Sequence, residues 1–313
     1  MAFIVSVLAA AVVYAVSILY ATIGEIFSQR AGIMNLGLEG IMLMGAVSGY
    51  ITVVHTHSLT LSMLVVILVG ILLGLLYAFL TVTLKANQIV CGLAMLTFGM
   101  GLSGFLGKSV SGISANLKFE EIALPGLSRI PILGEVFFKQ DLLVYIMYLI
   151  IPLSIFYIYK TKYGMFLRAL GENPAALDVA GINVFALRYA YVIFGCTMTT
   201  VSGAYLTLAY TNFWSEGMTG GRGWIAVALV TFASWKPKTA VWGALMFGGV
   251  SFIGTNLQIY LPIVPSQFFS MFPYFTTIIV LILASGKFKK RHMHTEEPSS
   301  LCIPYDREGR YYL

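Results

Sequence analysis

Very few side chains in this 313-residue sequence are placed to do chemistry, and each group meets a specific test. Gly101-Leu-Ser-Gly-Phe-Leu-Gly-Lys-Ser109 comes near the phosphate-cradling loop of nucleotide hydrolases. That loop needs Gly, four residues, then Gly-Lys-Ser/Thr, so that backbone N–H groups wrap the phosphates. Here five residues intervene and the stretch closes an apolar run, so this chain is expected to have no ATPase site of its own. His55 and His57 have no carboxylate or Cys beside them, and His292 and His294 precede Glu296 and Glu297 in a polar tail with nothing to fix a metal geometry. Cys91, Cys196 and Cys302 are far apart and form no CxxC, which points to neither a disulfide framework nor a metal site. No Ser sits in a Gly-x-Ser-x-Gly elbow and no acidic pair lies deep in an apolar run, so no catalytic residues and no cofactor are expected.

Three carboxylates remain, Glu25, Glu39 and Glu216, each beside an apolar run. A carboxylate in a membrane interior is expensive, so it marks either a solute path or a structural duty. Glu39, four residues after Asn35, is placed to satisfy free N–H groups and complement the dipole at a helix start, with a solute path as the second reading. Glu25, near Arg30, reads as scaffold at the membrane edge. Phe213 and Trp214 beside Glu216 have faces that stack on a planar or sugar-faced ligand, although interface anchoring is the plainer reading. Asn35, Glu39, Phe213, Trp214 and Glu216 are therefore the candidates for a translocation path.

The elements that must position these residues are membrane helices. The chain is 58% hydrophobic and 10% charged, with a mean hydropathy of +0.87, where a soluble domain carries roughly 25% charged residues. Apolar runs near the ~20 residues that cross a bilayer recur at about 2–22, 36–54, 60–84, 88–107, 141–159, 188–210, 223–235, 239–257 and 267–286. The expected fold is all-α, a polytopic bundle of about nine spans, with a range of eight to ten because 223–235 is short for a crossing. The transmembrane domain then fills 1–286 and a cytoplasmic tail fills 287–313. The N-terminus lacks a basic n-region and a small-residue cleavage site, and reads as a retained first span.

Placing 160–188 and the tail in the cytoplasm leaves only Lys108, Lys118, Arg129, Lys139 and Arg222 of the 19 Lys and Arg outside. That bias sets the N-terminus outside and the C-terminus in the cytoplasm. It also explains the formal charge of +6 without any nucleic acid. The 108–140 loop mixes turn formers with apolar residues and is expected to form an ordered extracytoplasmic cap, suited to docking a partner or covering a pore mouth.

Two stretches break the apolar pattern. Residues 30–45 (Arg-Ala-Gly-Ile-Met-Asn-Leu-Gly-Leu-Glu-Gly-Ile-Met-Leu-Met-Gly) carry four Gly between apolar runs, the composition of a backbone break from which a new helix starts. Residues 213–224 (Phe-Trp-Ser-Glu-Gly-Met-Thr-Gly-Gly-Arg-Gly-Trp) repeat that composition in the second half. With alternating spans, the first break faces the cytoplasm and the second faces outside. That is the pattern of an inverted repeat with Gly-broken helices, in which 32–45 is a hinge.

The segment 160–188 is too polar to span. Asn173 before Pro174 is a good N-cap with Pro at the first helical position, Asp178 lies near the first turn, and Gly181 is placed to end the helix. The spacing predicts one short cytoplasmic helix of about two turns, against the plainer alternative of a connecting loop.

Gly24-Glu-Ile-Phe-Ser-Gln-Arg-Ala-Gly-Ile-Met-Asn-Leu-Gly-Leu-Glu-Gly40 resembles the opening motif of the simple-sugar and nucleoside permeases of bacterial ABC importers, relatives of the branched-chain amino-acid permeases. The resemblance continues at 125–134, 168–176, 221–226, 235–237 and 304–310, and so covers nearly the whole chain. Cys302 stands where Gly is more often expected, before Ile-Pro-Tyr.

The resemblance implies a translocation subunit in the bacterial plasma membrane that works with a second permease chain as a heterodimer. Cytoplasmic ABC ATPase subunits would hydrolyse ATP, and an extracytoplasmic lipoprotein would bind substrate. It implies that 165–183 is a coupling helix seated on the ATPase, with Arg168, Glu172, Asn173, Pro174, Ala176 and Gly181 matching the family pattern. The short form with this tail is most similar to nucleoside permeases of the basic-membrane-protein-associated type. A simple-sugar (ribose- or galactose-like) permease is the alternative, and an ion-coupled secondary transporter comes next.

Overall fold

A computed structural model describes residues 2–115, 117–260, 265, 268, 269, 271, 272, 274–276, 278, 279 and 297–307. Among the described residues the architecture is an all-α bundle with one small two-stranded ribbon. Among the described residues seven helices are long and apolar enough to cross a membrane. They are α1 (Ala2–Arg30), α2 (Leu38–Thr56), α3 (Leu59–Ala78, extended by a wide turn to Thr83), α4 (Gln88–Gly107), α6 (Leu142–Lys160), α9 (Val184–Tyr205, extended to Tyr210) and α11 (Pro237–Tyr260). The run at 223–235 is the short helix α10 (Arg222–Phe232), half a crossing in length. Most of the predicted 267–286 span, and 287–296 of the tail, lie outside the described residues.

Where apolar side chains already sit in lipid, burying them supplies little drive, so the helices associate through close backbone approach at small residues. Gly203 of α9 leaves no room for a Cβ beside the Met42 carbonyl of α2, and Gly45 leaves none beside Thr200. Gly24 of α1 lies against Gly195 of α9. These contacts also give the directions. Thr207 donates to Ala46 O and Tyr50 to Asn212 O, so α2 runs parallel to α9. Ser202 donates to Ser17 O while Gly195 meets Gly24, so α9 runs antiparallel to α1. By that register the start of α2 lies level with the C-terminal third of α1.

Described residues of the 108–140 loop pack on the bundle, with Phe119 N–H donating to Leu208 O (2.8 Å). Strand β1 (Glu121–Ala123) pairs antiparallel with β2 (Lys139–Asp141), and α5 (Leu133–Phe137) packs on α1. Asp141 then caps α6 by accepting from the N–H groups of Leu143 and Val144.

The segment after α6 differs from the expectation of one short helix. It forms two, α7 (Lys162–Glu172) and α8 (Pro174–Val179). The signal for α7 was present in the sequence. Gly164, Leu167, Leu170 and Gly171, its buried positions, recur at helical spacing on one face.

Candidate functional site

Residues 31–37 form a non-helical passage inside an apolar bundle, where every backbone group needs a partner from protein. They have them. Met34 N–H donates to Gln88 Oε1 (2.8 Å) and Asn35 N–H to Glu25 Oε1 (2.9 Å). Gly37 N–H donates to Asn35 Oδ1 (2.8 Å). The carbonyls of Ile33 and Met34 accept from Ser28 Oγ (2.8 Å) and Tyr77 Oη (2.6 Å). Gly32 is held at φ +88°, where a Cβ would press on Ser300 and Arg188, so both the turn and the packing require glycine. Glu25 is scaffold as expected, but its partners are Asn35 and Gln29 (2.8 Å), where Arg30 had been the expected neighbour. Arg30 instead donates to Trp235 O (2.8 Å) and Tyr159 Oη (3.2 Å).

The break ends at α2, and there the two Gly-rich segments meet. Glu39 Oε1 accepts from Thr219 Oγ1 (2.5 Å) and Gly221 N–H (2.8 Å), and Oε2 accepts from Gly223 N–H (2.7 Å). The carboxylate, 7% exposed, therefore caps the start of α10, 180 residues away in sequence, and not the start of its own helix. Its negative charge lies at the positive end of the α10 dipole. Gly221, at φ +83°, turns the chain into α10, and a Cβ on Gly223 would strike the Glu39 backbone. The break after α1 and the break after α9 leave opposite ends of the bundle, since those two helices run antiparallel. Both helix starts converge inside the bundle, and α10 runs from that point towards Trp235, which donates to Gln29 Oε1 (2.8 Å) near the end of α1. Pairing of buried backbone donors, which simple alternation of spans ignores, brings them together.

Arg222, expected in an outer loop, is the first residue of α10. Its guanidinium lies over the rings of Tyr14 (5.5 Å) and Tyr210 (5.6 Å), so aromatic faces stand in for water around the charge. It borders a cavity of about 190 Å³ whose polar lining comes from Thr219, Ser251, Thr255 and Gln258, with Phe269 and Tyr274 supplying rings. Sequence patterning does not link these residues, because they lie on three separate segments: the start of α10, α11, and the stretch with Phe269 and Tyr274.

Of the predicted path residues, Asn35 and Glu39 are both buried in the break and its junction. Phe213, Trp214 and Glu216 are not brought to them. Trp214 packs against Gly107 at the end of α4, Glu216 is exposed beside Gly104, and Phe213 is half exposed.

One end of the bundle gathers Arg30, Lys85, Arg188 and α7–α8, with Arg30 and Arg188 buried and most of α8 exposed. Asn173 Oδ1 accepts from Ala176 N–H (3.1 Å) with Pro174 first in α8, the predicted cap. Ala176 is exposed, and Gly181 follows the helix at φ +80°. Arg168 is exposed and stacks over Tyr159 (5.9 Å). Glu172 accepts from Ser299 Oγ (2.7 Å). Val179, at the end of α8, is 91% exposed. Asp178 accepts from Tyr305 Oη (2.9 Å) and from Arg307 Nε (2.7 Å) and Nη2 (2.6 Å). The Arg307 hydrogen bonds, followed by that of Tyr305, hold its carboxyl below the usual aspartate range. Among the described residues no group of three or more His, Cys, Asp or Glu is placed to hold a metal.

Residues 6–281 match the family described as branched-chain amino acid transport system / permease component. The chain is 35% identical to a putative glucose ABC transporter permease protein of Haloferax volcanii, across 98% of this chain and 99% of that one. It is 35% identical to a nucleoside ABC transporter permease protein of Lactococcus lactis, across 88% and 90%. It is 30% identical to a guanosine ABC transporter permease protein of Bacillus subtilis, across 96% of each. No solved structure gives a significant match.

Proposed function

This chain belongs to the permease-component family of branched-chain amino acid transport systems, and from that premise we propose that it is the translocation subunit of an ATP-driven importer of nucleosides. Near-full-length similarity to two permeases named for nucleoside and guanosine carries the substrate reading. The cavity beside Arg222 is consistent with it, since rings and hydroxyl or amide groups share one space and so suit a solute with both a planar face and hydroxyls. A simple sugar is the second reading, favoured by the glucose permease relative.

In this proposal the basic end, with α7, α8 and residues 297–307, faces the cytoplasm, and the 108–140 cap faces outside with the N-terminus. Helix α8 seats on an ABC ATPase, for which its capped start and exposed Val179 are suited. A second permease chain completes the pore, and a substrate-binding lipoprotein docks on the outer cap. ATP is hydrolysed by the partner subunits, and this chain carries no catalytic step and no cofactor. Closure of the ATPases pushes α8, and the bundle rocks about the junction of α2 and α10.

The test is uptake by the complex reconstituted with its ATPase and binding protein. Gly181→Arg, or removal of 172–178, is expected to abolish ATP-driven uptake while the protein still inserts. Normal transport by either variant disproves the coupling role. Competition by guanosine, adenosine and uridine, with none by ribose or glucose, is the expected solute profile; a sugar-only profile sinks the nucleoside reading.

A further inference from the structure

The C-terminal residues return to the basic end and join its parts. Ser300 N–H donates to Gly171 O (2.7 Å) and Ser300 Oγ to Leu170 O (3.1 Å), gripping the end of α7. Two residues on, Cys302 N–H donates to Gly32 O (3.1 Å) in the break that leads to α2. Arg188 Nη1 of α9 reaches Ile303 O (3.4 Å), and Asp306 pairs with Lys85 (2.9 Å) in the turn between α3 and α4. Tyr305 and Arg307 then close on Asp178 of α8.

We infer that residues 298–307 form a strap that fixes α8 to the break at 31–37 and so positions it to pass the ATPase's push to the start of α2. This rests on the reading that α8 meets an ATPase.

Helix α8 has six residues and buries only one side chain, Leu177, so it has little grip of its own. An exposed ion pair adds little stability, yet the fork of Arg307 on one carboxylate fixes direction as well as distance. The path is short. Gly171 has no space for a Cβ because Arg30 O and Pro298 crowd it, so α7, the strap and the last residue of α1 are in direct contact. Cys302 is held at φ +63°, a conformation that favours Gly and explains why Gly is the more expected residue there. The chain tolerates that conformation where the strap turns from α7 to the break.

The experiment uses the full complex in proteoliposomes and measures uptake, ATP hydrolysis and co-purification of the ATPase together. Arg307→Asp and Asp178→Arg are each expected to lower the solute moved per ATP by roughly 5-fold while the ATPase still co-purifies. The double exchange is expected to recover most of that ratio. Tyr305→Phe, which removes one donor and no charge, is the mild variant if a reversal does not insert, and a smaller fall in the same ratio is expected. An unchanged ratio in the inserted variants overturns the strap and leaves the transport reading standing. So does a loss confined to ATPase binding, since the segment would then be a docking clip only. Wild-type uptake that ignores ATP overturns the transport reading and the strap with it.

Discussion

Two carboxylates in this molecule each accept three hydrogen bonds, and their settings could hardly differ more. Glu39 lies inside the bundle and takes two backbone N–H groups and one hydroxyl. Asp178 lies at the basic end and takes a phenol and a guanidinium. A donor stranded in the bundle has no water to turn to, so the Glu39 bonds are required by the backbone break itself. Donors around Asp178 can hydrate when released, so those bonds set an orientation at little cost. One region is built to stay joined and the other to be held lightly. In the proposed mechanism that division separates a hinge from the surface that drives it.

The largest effect is expected at Glu39. Glu39→Ala strands Thr219 Oγ1, Gly221 N–H and Gly223 N–H together, at ~1–3 kcal/mol for each unsatisfied donor. Folded protein recovered in detergent should fall sharply, as read by thermal-stability chromatography, and uptake should be lost. Recovery equal to wild type would break the contrast with Asp178.

Two isosteric changes sharpen it further. In Glu39→Gln one oxygen becomes NH₂ and must face a backbone N–H, because both oxygens accept from Gly residues. A cost of about 1–3 kcal/mol is expected. In Glu25→Gln the amide oxygen can take over both bonds, since Oε1 alone accepts from Gln29 and Asn35. There the expected change is under ~1 kcal/mol. Equal shifts in melting temperature for the two would contradict this assignment of acceptors.

The smallest effect is acid titration at Asp178. Its carboxyl is depressed, first by the Arg307 hydrogen bonds and then by Tyr305, so the folded form favours the ionised group. The stabilisation is therefore fully present above the ordinary aspartate pKa of about 3.9 and is lost as pH falls through the lower folded value. Protease protection of the tail should be flat from neutral pH to about pH 5 and decline below about pH 4. Asp178→Asn should lack that acid step, and a step that persists in this variant belongs to another group.

Much of the site was legible locally. The Asn173–Pro174 cap, the Gly-rich break after Arg30 and the short helix near 223–235 each depend on a few neighbouring residues. The partner of Glu39 was not legible, because nothing in residues 35–40 says which donors lie across the bundle. Phe213, Trp214 and Glu216 have the types of a ligand platform, with interface anchoring the plainer reading, and packing sends Trp214 to Gly107 and leaves the others outside the junction. Arg222 looked like a loop charge. Its place between Tyr14 and Tyr210 depends on helices far apart in the chain.

The sequence alone determined a membrane bundle, the positions of its breaks and the capped helix at its basic end. Composition, hydropathy and capping act over one or two helical turns, and a sequence displays those directly. Only the tertiary structure decided that two helix starts share one carboxylate and that the C-terminal residues bind α8 to the break. Buried donors take whatever acceptor the packing brings within reach, and packing is a property of the whole chain.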